Sequence, residues 1–343
     1  MSTENRVPQY CGLPEQRPRV LPQDLSSPRL SAIRVAEAKW VNGTVLHYHF
    51  LDGPKEQRDV VRECFQAWKD IPIGLSFTEV DDVSEAEIRI AFDASDGSWS
   101  YVGRGILDQP ATQSTMNFGW DLTTEHGRST ALHEIGHTLG EPHEHQNPFA
   151  GIVWDEEAVY QALGGPPNNW PREQTQWNIL RKLNPSEVEG SSWDPNSIMH
   201  YEFEAGMIRE PAKYRNGITP PGTLSDLDKQ WIMKWYPQQG PAQRKLKPFT
   251  SEVLDLDAGE QADFTIEPPA TRTYQLATFG DSDTVIVLFE EIDGEPRYIQ
   301  GDDDSGAERN AQISAQLMQG RRYLLKVRLY WPGVTGQTAV MCW

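Results

Sequence analysis

The apolar positions of this chain change their period twice, and the changes divide it into three unlike stretches. Residues 1–30 have no apolar period; Pro8, Pro14, Pro18, Pro22 and Pro28 recur there and predict an extended segment without a core of its own. Residues 44–51 alternate as a strand, with His47 and His49 on one side, a pattern that favours a solvated strand face over a metal pair. Asp52-Gly53 predicts a hairpin-like turn after it. Residues 57–71 switch to helical spacing through Val60, Val61, Cys64, Phe65, Trp68 and Ile71, which makes Cys64 a core thiol. β-rich segments follow at 74–80, 86–92 and 114–122, with Trp99-Ser100-Tyr101 between the last two. A helix opens near Thr123 or Thr124, turns Leu132 and Ile135 inward and ends at Gly140. Two later helices are predicted. One starts at Pro171 with Trp177, Ile179, Leu180 and Leu183 on its apolar side. The other starts at Ser225, where Asp228 completes an acidic capping box ahead of Trp231, Ile232 and Trp235.

After the linker-like run PQQGPAQRKLKP at 237–248 the helical period is lost. Short strands at 249–264, 273–279, 284–289, 311–317 and 323–329, separated by Gly and Asp turns, predict a β-sandwich of about 95 residues. The expected architecture is therefore an α+β domain followed by an all-β sandwich.

The predicted helix carries the most specific chemistry, His133-Glu134-Ile135-Gly136-His137-Thr138-Leu139-Gly140-Glu141-Pro142-His143. His133 and His137 stand one turn apart on one helix face, so both imidazoles reach one ion. Gly140 suits a left-handed exit that returns His143 as a third ligand. Glu134, beside the first ligand, reaches an attacking water without ligating. Isolated HExxH runs arise by chance. With 27 Gly and 8 His in 343 residues, the added Gly and His accompany one such run in roughly 500. About sixty residues on comes Ser197-Ile198-Met199-His200-Tyr201.

On these two motifs the chain resembles the metzincin zinc endopeptidases, and among them the astacins, whose versions His143-Glu144 and Ser-Ile-Met-His-Tyr match. The resemblance implies a metzincin catalytic domain with a twisted mixed sheet, an active-site helix and a mostly helical lower half. It implies Zn2+ on His133, His137 and His143, Glu134 as general base and acid, Met199 as a floor beneath the metal, and Tyr201 at the scissile-bond oxyanion. His126, His145 and His200 are not needed as ligands and read as surface or supporting groups. Metzincins pair substrate with a strand at the cleft rim, and 87–92 is the candidate. Two departures stand out: Glu141 replaces the usual aromatic, and the astacin disulfide pattern is missing, so the animal enzymes' preference for acidic residues is not carried over. Tyr10-Cys11-Gly12-Leu13-Pro14-Glu15 is similar to the cysteine-switch segment of matrixins and implies Cys11 as a latent-state ligand. The C-terminal stretch resembles prepeptidase C-terminal domains. Its acidic run Gly301-Asp302-Asp303-Asp304-Ser305-Gly306 offers oxygen to Ca2+, although a solvated turn is the favoured reading.

The expected organisation is a pro-segment at 1–34, a catalytic domain at 35–237, a linker at 238–248 and a sandwich at 249–343. A net charge of −19 argues against nucleic acid or anionic membrane as partner. No run of about 18 apolar residues spans a membrane. Three cysteines supply no disulfide framework. The N-terminus lacks the plan of a signal peptide, while the family resemblance favours secretion. The expectation is a monomeric, latent zinc endopeptidase acting on protein or peptide. The alternative is a matrix- or glycan-binding protein on the same scaffold.

Overall fold

The structure, a computed structural model, describes residues 8–14, 39–183, 192–238, 240, 244–331 and 334–343. Pro18, Pro22, Pro28 and Glu15 of the predicted N-terminal segment lie outside the described residues, as do parts of the predicted linker. The described residues form two compact units. One holds those within Met1–Trp40, Leu46–Ile71 and Phe77–Ile232; the other holds those within Val41–Val45, Pro72–Ser76 and Met233–Trp343.

The first unit is built on strand β1 (Val45–Phe50), helix α1 (Lys55–Lys69) and strands β2 (Ser76–Glu79), β3 (Ile88–Ala91), β4 (Trp99–Ser100) and β5 (Met116–Asn117). The strands form one sheet in the order β2-β1-β3-β5-β4. β3 pairs parallel with β1 and β5, and β4 runs antiparallel to β5. The apolar face of α1 buries Val61, Cys64, Phe65 and Trp68. Trp68 Nε1 donates to the Leu132 carbonyl at 3.0 Å, tying α1 to helix α2 (Glu125–Thr138). Asp52-Gly53 makes no hairpin. Gly53 has φ +99° and turns the chain from β1 into α1, and Asp52 Oδ1 accepts from Phe92 N at 2.9 Å.

Three other expectations change. His47 is fully buried, not solvated, because Glu87 reaches over it and accepts from both its backbone N–H and Nδ1. The rim-strand candidate 87–92 lies in the middle of the sheet, with neighbours on both sides. Arg89 on it is itself buried, and its guanidinium donates to the carbonyls of Gln113, Ala86, Glu87, Gln109 and Pro110. Such a side chain ties a loop to the sheet. The sheet's edge strand on that side is β4, and only Met116–Asn117 of the predicted 114–122 strand pairs.

Beyond α2 the unit is mostly helical. Helix α3 (Glu156–Gly164), capped by Asp155 accepting from Ala158 N, was not expected from apolar spacing. Helix α4 (Arg172–Thr175) runs directly into a π-helical turn, Gln176–Leu180. Strands β6 (Val153–Trp154) and β7 (Ile208–Glu210) pair, and helix α5 (Asp226–Trp235) follows. Its capping box is reciprocal: Ser225 N donates to Asp228 Oδ2 at 2.8 Å and Asp228 N to Ser225 Oγ at 2.9 Å.

The second unit is an all-β sandwich. Its strands are β8 (Arg244–Lys245), β9 (Ser251–Leu256), β10 (Gln261–Ile266), β11 (Arg272–Phe279), β12 (Thr284–Ile292), β13 (Glu295–Asp302), β14 (Gln312–Leu317), β15 (Arg322–Leu329) and β16 (Gly336–Cys342). They form sheets in the orders β13-β12-β15-β10-β8 and β14-β11-β16-β9. Leu246 is fully buried in the sandwich core, within the stretch whose composition reads as linker. Asp302 is engaged in its own turn, accepting from Ser305 N, Ser305 Oγ and Gln312 N.

Replacing Arg89 by Leu leaves five carbonyls without their donor, Ala86 buried and Glu87 and Gln109 half-buried among them. The expected cost is about 3 kcal/mol, read from urea unfolding, with the sandwich's own unfolding transition unchanged.

Candidate active site

Helix α2 starts where Thr124 Oγ1 accepts from Gly127 N at 3.0 Å, and it ends by the expected exit. Gly140 has φ +99°, Gly140 N donates to His137 O and Glu141 N reaches back to Gly136 O. The reversal brings the His143 ring within 4.7 Å of the His137 ring and 5.3 Å of the His133 ring, centroid to centroid.

Each imidazole is oriented from behind. His133 Nδ1 lies 2.8 Å from the Ile198 carbonyl and His137 Nδ1 lies 2.7 Å from the Glu141 carbonyl. A carbonyl only accepts, so both Nδ1 atoms carry the proton and both Nε2 atoms present lone pairs forward. His133 Nε2 is buried with no hydrogen-bond partner among the described residues, and His137 Nε2 faces His143 Nε2 at 3.1 Å. Burial pushes all three imidazoles toward the neutral form, His133 down to about 4, with the neighbouring imidazoles adding to the effect at His137 and His143. Neutral, forward-facing nitrogens in a buried setting fit a cation. The Cys11 thiol completes the group: the ligand atoms of Cys11, His133, His137 and His143 all lie within 4.8 Å of one another.

The Ser197–Tyr201 turn is fixed from α5. Asp228 accepts from Ser197 Oγ at 2.6 Å and from Ile198 N at 2.9 Å. Burial pushes its carboxyl up while those hydrogen bonds pull it back down. Met199 N donates to Ser197 Oγ, and the Met199 carbonyl takes Glu144 N at 3.0 Å. The methionine side chain presses on the helix: a Cβ at Gly136 would stand 2.4 Å from Met199 Sδ. Glu144 Oε1 accepts from Asp194 N and Asn147 Nδ2, so Glu144 braces the segments on either side of the turn. Glu141 is buried against Gly136, and burial pushes its carboxyl well up.

Glu134 Oε2 accepts from Cys11 Sγ at 3.3 Å, and Oε1 is buried without a partner among the described residues. Burial pushes its carboxyl up to about 8, with the Cys11 hydrogen bond pulling the other way. Burial and the Glu134 charge push the Cys11 thiol well up. Tyr201 donates to the Cys11 carbonyl at 2.6 Å and its hydroxyl stands 2.6 Å from His143 Nε2.

Residues 8–14 lie over this group without regular secondary structure. Gly12 N donates to the Ser98 carbonyl at 3.3 Å, next to edge strand β4. Asn168 accepts from Tyr10 N and donates to Pro8 O, and Asn178 Oδ1 accepts from Leu13 N. The π-helical turn presents Asn178, whose carbonyl also accepts from His145 Nε2 at 2.9 Å. His145 and His200 are buried behind the group rather than at the surface.

Sequence reasoning brought together His133, Glu134, His137, His143, Met199, Tyr201 and Cys11, and all of them meet here. It missed Asp228's hold on the turn and the Asn168 and Asn178 contacts. Only Asp228 had a signal, and that signal was the capping box.

The family model for astacin, a peptidase family, matches residues 32–214. Myroilysin has 33% identity and a TM-score of 0.55 over 60% of this chain and 98% of its own. A hatching enzyme zinc-protease from the medaka fish Oryzias latipes, high choriolytic enzyme 1, has 16% identity and a TM-score of 0.40 over 60% of this chain and 96% of its own. The pre-peptidase C-terminal domain of collagenase from Bacillus anthracis has 16% identity and a TM-score of 0.27 over 31% of this chain and 100% of its own. The chain belongs to the astacin family. It is a zinc metalloendopeptidase, with protein or peptide as substrate.

Asp228→Ala removes the acceptor shared by Ser197, Ile198 and Ser225. Stability should fall by about 3 kcal/mol in urea unfolding. The loss should be larger than that of Ser225→Ala, which loses the cap acceptor and one hydrogen bond to Asp194 but leaves the Ser197 and Ile198 contacts in place.

Proposed function

We propose that His133, His137 and His143 hold the zinc ion and that Glu134 and Tyr201 carry the peptide hydrolysis. Cys11 keeps the site latent by occupying the place of the attacking water. The observation that carries the latency is the buried Cys11 thiol, grouped with the three imidazoles and hydrogen-bonded to Glu134. Nitrogen and sulfur donors suit zinc, and when bound the ion supplies Lewis acidity and lowers the pKa of water toward about 7.

The protein's own groups divide the remaining work. Glu134, freed from the thiol, takes a proton from the attacking water and delivers it to the departing amine. Its buried Oε1 and elevated pKa suit a group that must hold a proton between those two events. Tyr201 releases the Cys11 carbonyl and offers the same hydroxyl to the oxyanion of the scissile bond. The Ile198 and Glu141 carbonyls keep His133 and His137 in the ligating tautomer throughout. While residues 8–14 occupy the cleft, substrate backbone has no access to Ser98 or Asn178. Cutting the N-terminal segment away is what activates the protein.

Two outcomes are expected. Glu134→Gln should lower kcat/KM on a casein-derived peptide by about a thousandfold or more with the zinc content unchanged. Equal activity would remove Glu134 from the mechanism. Full-length Cys11→Ala should cleave without prior trimming, while the uncut native chain is at least roughly a hundredfold slower. X-ray absorption at the zinc edge should report one sulfur neighbour in the native chain and none in the variant. Equal rates of the two uncut proteins would end the latch reading and leave the peptidase reading in place.

A further inference from the structure

The segment that closes the cleft also shows what the cleft accepts. Tyr10 belongs to a stretch without regular secondary structure, yet its ring is buried. It stacks on Phe203 at 5.8 Å, meets Tyr201 edge-on at 5.2 Å and tilts against Trp170 at 6.2 Å. The next residue is Cys11, at the metal group, so this pocket lies one residue from the centre of chemistry. The backbone around Tyr10 is held by hydrogen bonds, as a bound peptide would be. Asn168 pairs with both Tyr10 N and Pro8 O, and Gly12 N pairs with Ser98 O.

We propose that the pocket filled by Tyr10 is a substrate subsite selective for a bulky aromatic side chain and closed to carboxylates. The inference rests on the peptidase reading and adds its substrate class. Three aromatic faces supply the affinity for a ring. Among the described residues the far end of the pocket offers no hydrogen-bond partner: Tyr10 Oη is buried there without one. The charges near it are the carboxylates of Glu204 and Glu202, which add to burial in pushing the phenol up. A substrate Asp or Glu would therefore lose its hydration, gain no donor and face like charge. Phe satisfies the pocket at least as well as Tyr. A small side chain leaves it unfilled and forfeits roughly a hundredfold in kcat/KM.

The first test uses the full-length, zinc-loaded chain and the rate at which Cys11 reacts with an aromatic disulfide, Cys64 and Cys342 being fully buried. Tyr10→Phe should react no faster than native, Tyr10→Ala about tenfold faster and Tyr10→Glu about a hundredfold faster. The second test gives a full-length Tyr10→Ala, Cys11→Ala chain a mixture of peptides and maps the cuts by mass spectrometry. One fixed position beside the scissile bond should be dominated by Phe and Tyr, with Asp and Glu depleted about a hundredfold. Adding Trp170→Ala, a half-buried wall residue, should flatten that preference. Efficient cleavage with no aromatic preference, or with an acidic one, overturns the subsite and leaves the peptidase standing. A Tyr10→Glu chain as unreactive as native overturns it as well. A zinc-bound chain that cuts nothing overturns the peptidase reading and the subsite together.

Discussion

A single buried carboxylate sets the geometry of the metal group. Asp228 grips Ser197 and Ile198 while capping its own helix, and that grip aims the Ile198 carbonyl at His133 Nδ1. From there the chain of consequences is short. The proton held on Nδ1 turns the Nε2 lone pair forward, and the Met199 carbonyl fixes Glu144 just beyond His143. Burying a carboxylate is expensive unless its oxygens are fully used. Here three donors use them, and the strain of desolvation is spread over two segments about thirty residues apart in sequence.

Contiguous chemistry was legible in the sequence, and geometry that depends on strand order was not. His133 through His143 lie on one helix and its exit turn, so their spacing already fixes their meeting place. Cys64 and Trp68 follow from one helical stripe in the same way. The segment 87–92 looked like a rim strand because its alternation says nothing about its neighbours. β1 and β5 flank it, and the edge falls to the two-residue β4, too short to leave a period. His47 looked solvated because Glu87, forty residues on, could not be known to cover it. Helix α3 carried a legible signal in Asp155 followed by Glu156 and Glu157, but its two buried residues, Val159 and Leu163, make a thin stripe. Strand β13 mixes charge, proline and glycine and shows no alternation.

The site also illustrates how one residue serves two states. Asn178 holds Leu13 through its side chain and His145 through its carbonyl, and the π-helical turn lets a single position face both. Gly12 passes close to helix α4, which leads into that turn, and a Cβ there would stand 3.3 Å from Gln174 Nε2. Residues 8–14 and this wall of the site are thus shaped to one another.

The phenol of Tyr10 carries a consequence for timing. A buried hydroxyl without a partner disfavours the closed arrangement by about 1–3 kcal/mol relative to a bare ring. That is a factor of roughly ten to a hundred in how readily the severed peptide departs. Affinity held below its attainable maximum separates a removable stopper from a permanent inhibitor. On the proposed latency, a cut peptide would leave sooner because of one oxygen atom that finds no partner among the described residues.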